Sequence, residues 1–197
     1  MTIQNISFGK KIPIAKCSIK NRLTRKYVPA TCYEIDCKDE ADYVEIANLK
    51  KKWNFKKSLS DAMERKHDDM LTGIGLYKNR HFYTMQTDSD NQIVGICQTE
   101  KGCKDIELIH LETSPNKKYK YTGQGLLAIL GIIGEKEKAD NIYIPFPVDS
   151  ARAFYTDKCG FKNCQSNDGL YMNKKRFGLF RQQVEKRMQA PILDINI

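Results

Sequence analysis

Apolar and polar side chains alternate along KIPIAKCSIKN (11–21) and again along KYVPATCYEIDC (26–37), with the charged link NRLTRK between them. A period of two is the signature of a half-buried strand, so these stretches predict a hairpin. Residues 39–53, DEADYVEIANLKKKW, change to helical spacing: Tyr43, Ile46, Ala47, Leu49 and Trp53 recur on one side, acids open the segment and lysines close it. A second, shorter helix is expected over SLSDAMERKHDD (58–69), with Ser58 or Ser60 as its cap. HFYTMQTD and NQIVGICQT, joined by Ser-Asp-Asn, predict a second hairpin, and DIELIHLETSP a further strand ending at Pro115.

A lysine-rich loop, NKKYKYT, then leads through Gly123-Gln124-Gly125 into an apolar helix from Leu126 to about Lys138. NIYIPFPV reads as a strand broken by prolines, SARAFYTDKCG as a helix stopped by Gly160, and FKNCQSNDGLYMNKK as a last hairpin. The final helix, RFGLFRQQVEKRM, carries Phe177, Phe180, Val184 and Met188 in one stripe. The tail APILDINI is apolar enough to dock on its own domain or on a second subunit, and the pattern leaves both open. The order of elements predicts a mixed α/β fold built on one dominant sheet. Within it, residues 1–30 form a basic hairpin extension and 31–197 a single domain.

Composition narrows the class. With 197 residues, 41% hydrophobic and 29% charged, the chain has ordinary globular usage. LLAILGII (126–133) is far shorter than the roughly 20 residues of a membrane span, and lysines interrupt every apolar stretch of the N-terminus, so no span and no secretory signal is expected. Seven cysteines, with no C-x-x-C pair and C-x4-C only as a weak zinc pattern, read as free thiols without a metal in a reducing compartment, the cytoplasm.

The net charge of +9 is unevenly placed. Before Glu34 stand seven Lys or Arg and no acid, and near the other end Lys174, Lys175, Arg176, Arg181, Lys186 and Arg187 face only Glu185. Such clusters suit RNA, an acidic protein or a phosphorylated ligand, or are solvated surface.

The two glycines carry the chemistry. A Walker loop would need Gly-Lys-Ser or Gly-Lys-Thr, whereas Leu126 follows Gly125. Gly123-x-Gly125-x-x-Ala128 matches the dinucleotide fingerprint in form, yet two helices and a hairpin meander precede it instead of βαβ. What remains is a turn whose bare backbone lets successive N–H groups converge on a diphosphate at a helix N-terminus, with Lys117, Lys118 and Lys120 beside it.

Lys120-Tyr121-Thr122-Gly123-Gln124-Gly125 resembles the diphosphate loop of the GNAT superfamily of acetyl-CoA-dependent N-acetyltransferases, Arg/Gln-x-x-Gly-x-Gly/Ala, with lysine in first place. The strand ending at LETSP before the loop, and Ala151-x-x-x-Tyr155 followed by Gly160-Phe161 after it, are similar to that family as well. Three departures accompany the likeness. The loop after Pro115 is about two residues longer than usual, Tyr155 stands one residue further from Gly160, and Val148 replaces a frequent asparagine.

The resemblance implies the GNAT fold, a mixed sheet of six to seven strands flanked by helices, with a C-terminal helix. It implies acetyl-CoA held by Lys120, Tyr121, Thr122, Gly123, Gln124, Gly125 and Leu126. The Leu111 amide would hold the thioester carbonyl, and Glu112 and Thr113 the pantetheine arm. Tyr155 would protonate the departing thiolate, while Glu107 or Glu112, with His110 as a rival, would relieve the acceptor amine of its proton. The acceptor is left open among a protein, an aminoacyl-tRNA and a small amine. A non-catalytic module on the same fold that binds acetyl-CoA, RNA or a protein is the alternative.

Overall fold

The computed structural model describes residues 11–37, 39–53, 66 and 78–195. The expected second helix over 58–69 lies outside the described residues apart from Lys66, which is helical.

Among the described residues ten strands form one sheet: β1 (Ile12–Asn21), β2 (Tyr27–Glu34), β3 (Arg80–Thr87), β4 (Ile93–Lys101), β5 (Asp105–Thr113), β6 (Tyr119–Lys120), β7 (Asn141–Ile144), β8 (Lys162–Asn163), β9 (Leu170–Asn173) and β10 (Leu193–Asp194). Their spatial order is β10-β1-β2-β3-β4-β5-β7-β9-β8, with β6 also on β1. Every pairing is antiparallel except β5 with β7. The expectation of six to seven strands is therefore too low. The additional pieces include the two-residue strands β6 and β10, too short to show an alternation of their own.

Helix α1 (Glu40–Trp53) covers one face, with Ile46 and Leu49 packed on Ile35, Phe82, Ile93 and Ile96. Helix α2 (Thr122–Lys136) covers the other. Twelve of its fifteen residues are buried, as an apolar circumference requires of a helix held between two layers. The second layer is α4 (Lys174–Met188), whose buried Phe177, Phe180, Val184 and Met188 recur every three or four residues. Its Phe177 lies so close to α2 that a Cβ at Gly134 would come within 2.9 Å of the ring. Between them in sequence comes the short α3 (Asp149–Ala153), continuing as a π-helical turn over Phe154–Lys158.

The tail docks on its own chain. Leu193 and Asp194 pair with Lys16 and Ala15 of β1, Ile192 enters the core, and Asp194 accepts from Lys136 at 2.7 Å. Among the described residues, no helix is long and apolar enough to cross a membrane.

Candidate active site

Strands β5 and β7 run side by side only at Asp105–Glu107 against Asn141–Tyr143. β7 ends one residue later, and Pro145 and Pro147 follow, which have no N–H to continue the ladder. β5 continues to Thr113, and Ile109 is an extra residue in its ladder with β4, where Gln98 pairs with His110 but Thr99 with Leu108. Such a bulge bends the strand and raises its twist. The pair therefore opens as a V, and the V is a cleft of about 1000 Å³.

Leu111, Glu112 and Thr113 line one wall of the cleft, and Ala151, Phe154 and Tyr155 line the other. The N-terminus of α2 closes its base. The helix begins at Thr122, four residues before the expected start, so both glycines lie in its first turn. Tyr121 is the cap in a left-handed conformation (φ 71°), and no side chain caps the end. The Gly125 N–H donates to the Tyr121 carbonyl at 2.7 Å. That leaves the N–H groups of Thr122, Gly123 and Gln124 as the ones a helix start cannot satisfy internally. The expected set from Thr122 to Leu126 is thus shortened: the Gly125 amide is already bonded, and Leu126, 1% exposed, belongs to the core.

Each glycine has its own steric reason. A Cβ on Gly123 would sit 3.3 Å from the Phe154 ring, with Thr113 and Leu111 just beyond, so a side chain there would fill the cleft. A Cβ on Gly125 would meet the Met188 methyl at 2.6 Å, so the second glycine serves helix packing.

The extra residue between Tyr155 and Gly160 is absorbed by the π-helical turn, which widens the helix by one residue instead of displacing the tyrosine. Phe161 N–H then closes back on the Tyr155 carbonyl at 3.0 Å. Tyr155 is 8% exposed, with Phe154 and Phe161 set edge-on at 5.2 and 5.8 Å. Burial first, then the charges of Cys159 and Glu112, push its phenol well above the ordinary range, which keeps the hydroxyl protonated. The adjoining Cys159 is buried, and its thiol is pushed up to about 12 by burial against the opposing pull of Arg187. A thiol so held is no nucleophile at neutral pH.

Three elements meet at one carbonyl. Gln124 Nε2 and Arg187 Nη1 both donate to the Lys158 carbonyl at 3.1 Å, tying α2, the π-helical turn and α4 together.

Glu107 stands apart from these groups. It is not on the cleft wall but four residues down β5 from Leu111, about 13 Å at strand rise. The register places it on the sheet face covered by α1, between Glu100 of β4 and Tyr143 of β7, with Tyr171 next in the row. Its carboxyl is raised by partial burial first, then by Glu100 and Asp105. His110 lies opposite Gln98 and is not on the cleft wall either. Among the described residues, no cluster of three His, Cys, Asp or Glu could hold a metal.

Lys117, expected beside the glycine loop, lines the cleft mouth, but the sequence did not place the other basic side chains that ring it, Arg22, Lys158 and Arg187. Arg22 arrives because β6 pairs with the end of β1, Lys20 opposite Lys120, and because the Arg22 N–H donates to the Lys118 carbonyl at 2.8 Å. The charge excess of both termini was visible, but nothing in the chain announced that pairing.

No known family's sequence model matches the chain, and no curated protein matches it in sequence. Solved structures do match in fold. A GNAT-family acetyltransferase from Staphylococcus aureus Mu50 superposes with a TM-score of 0.53 at 15% identity, covering 74% of this chain and 99% of that one. Mutant forms of the spermidine/spermine N-acetyltransferase SpeG from Vibrio cholerae give 0.56 at 12% identity, covering 76% and 96%. The PaiA N-acetyltransferase from Thermoplasma acidophilum, in complex with coenzyme A, gives 0.50 at 16% identity, covering 74% and 98%. The chain has the fold of the GNAT N-acetyltransferases.

Proposed function

We propose that this protein is an acetyl-CoA-dependent N-acetyltransferase that acts on a primary amine by direct attack within a ternary complex. The observation that carries this reading is the V between β5 and β7, with unsatisfied helix amides at its base and a buried, protonated tyrosine on its far wall. Solved neighbours of the same fold include one bound to coenzyme A and one bound to acetyl-CoA.

The amides of Thr122, Gly123 and Gln124, with Lys120 beside them, receive the diphosphate, where the helix dipole adds to the N–H groups. Glu112 and Thr113 pair with the pantetheine arm, and the Leu111 amide holds the thioester carbonyl, stabilising the oxyanion as the amine adds. When the tetrahedral intermediate collapses, the C–S bond breaks and the Tyr155 hydroxyl protonates the leaving thiolate. The acceptor's own surplus proton passes to Glu107 along a chain of waters, because Glu107 lies off the cleft wall, and its raised carboxyl is suited to take it.

The acceptor side favours a cationic amine. Glu107 with Asp105 nearby, and the Tyr143 ring alongside, form an acidic and aromatic strip on the α1 face, which attracts an ammonium group, while the neighbouring Glu100 is already paired with Arg80 at 2.9 Å. All seven cysteines are free thiols, in keeping with a reducing compartment such as the cytoplasm.

The test is release of free coenzyme A from acetyl-CoA in the presence of spermidine, a lysine-containing peptide or an aminoacyl-tRNA. Acceptor-dependent release supports the reading. Acetyl-CoA that binds without turnover on any of these amines would favour a non-catalytic module.

A further inference from the structure

Beside the cleft, sharing Arg22 and Lys120 with it but not Tyr155, lies a second recess of about 410 Å³. It is lined by Lys20, Arg22, Arg25 and Lys120, with Asn21 between them. No carboxylate lines it, and none of its four cations forms a salt bridge among the described residues. Lys20 and Lys120 are direct partners across the β1–β6 ladder, where like charges oppose pairing. An anion between them would offset that repulsion.

The recess is built, not merely charged. Asn21 Oδ1 accepts from the Leu23 and Thr24 N–H groups, and the Asn21 N–H donates to the Lys26 carbonyl at 2.9 Å, which fixes the β1–β2 turn. Arg25 holds a left-handed conformation at φ 57°, uncommon for a residue other than Gly, Asn or Asp. Lys20 Nζ is steadied 5.2 Å above the Tyr27 ring, and the Tyr27 hydroxyl donates to the Arg187 carbonyl on α4. Arg22 and Lys120 line both the recess and the cleft, so the two spaces adjoin.

The sequence of chemical environments along this path is a thioester position at Leu111 and Tyr155, a diphosphate position at Thr122–Gln124, and then four cations. Coenzyme A presents its groups in that order, since the 3′-phosphate of its ribose lies beyond the diphosphate from the thiol. We infer that the recess between the β1–β2 turn and β6 is the site of the 3′-phosphate, so that the basic hairpin selects coenzyme A over its dephosphorylated form. The inference rests on the acetyl-CoA reading above.

The experiment is calorimetric titration of the full chain with coenzyme A and with 3′-dephospho-coenzyme A. It is run on the wild type and on a Lys20→Gln/Arg25→Gln double variant, whose two positions line the recess and not the cleft. The wild type is expected to bind coenzyme A about tenfold or more tightly than the dephosphorylated compound, as charged hydrogen bonds to one phosphate imply. In the double variant the preference falls to within about twofold while affinity for the dephosphorylated compound stays at its wild-type value.

Equal binding of the two compounds by the wild type overturns the inference and leaves the acetyltransferase reading standing. That comparison needs no variant. A double variant with the wild-type melting temperature and the wild-type preference also overturns it. Failure of both compounds to bind defeats the acetyl-CoA reading itself and this inference with it. Tight binding of single-stranded RNA, lost in the double variant and accompanied by no preference between the two compounds, would assign the recess to nucleic acid instead.

Discussion

The two faces of the sheet are built to different rules. On the α2 and α4 face, twenty-eight buried apolar residues form one continuous core, reaching from Ala15 on β1 to Ile192 in the tail. On the α1 face the described apolar cluster has seven. Ionisable and polar groups are buried beside it: Asp42 is fully buried, Lys66 is 6% exposed, and Asp42 Oδ1 and Gln98 Oε1 have no hydrogen-bond partner among the described residues. Burial lowers the Lys66 ammonium's pKa and raises the Asp42 carboxyl to about 6. Among the described residues the larger core thus lies on one face, and the raised carboxyls of Asp42 and Glu107 on the other. The cleft opens where β5 leaves β7, with the open amides at the α2 end and the raised Glu107 carboxyl towards the α1 face.

Phe177→Ala should show the largest effect. The ring is 1% exposed and packs on Gly131 and Gly134, so its removal should cost about 3–5 kcal/mol of unfolding free energy by urea titration. A loss below about 1 kcal/mol would mean that the α2–α4 seam is not the main core. Next comes Gly123→Val, which places side-chain atoms against Phe154 and should weaken acetyl-CoA binding about 100-fold by calorimetry. Tyr155→Phe should lower kcat about 100-fold with the acetyl-CoA dissociation constant within about twofold, separating proton donation from binding.

Glu107 tests the proton side of the comparison. A base acts only when deprotonated, so with a raised carboxyl the acid limb of kcat/KM should fall above the ordinary carboxylate range, with activity lost as pH drops through it. Glu107→Gln should cut the rate about tenfold and remove that limb. An unchanged profile would assign the proton to another group.

The smallest effect belongs to Asp42. Its folded pKa of about 6 lies above the ordinary 3.8, so the native state takes up a proton before the unfolded chain does. The buried charge therefore destabilises the fold above pH 6, and the penalty is relieved as pH falls towards 4. Asp42→Asn should raise the melting temperature by about 2–4 °C at pH 8 and by nothing at pH 4, in a thermal scan against pH.

Much of this plan was legible in the chain because it rests on local rules. The alternation in 12–21 and 27–34, the helical spacing in 40–53 and the stripe Phe177, Phe180, Val184, Met188 each announce an element that the structure contains. Gly123 and Gly125 marked the helix start, but apolarity placed that start at Leu126. The polar first turn, Thr122 to Gly125, is buried for reasons of contact and not of hydrophobicity. The strands β6 and β10 were not legible, since two residues carry no period and their register depends on β1, about 100 and 180 residues away in sequence. The same holds for Arg22 at the cleft mouth. The π-helical turn was foreshadowed only as one residue too many between Tyr155 and Gly160.

The central claim is that the three open amides of the α2 N-terminus receive the diphosphate, and amide-resolved NMR tests it most directly. On addition of coenzyme A, the ¹H–¹⁵N signals of Thr122, Gly123 and Gln124 should move, while pantetheine, which lacks the diphosphate, should leave them in place. Saturation with coenzyme A without movement of these three signals would contradict the account.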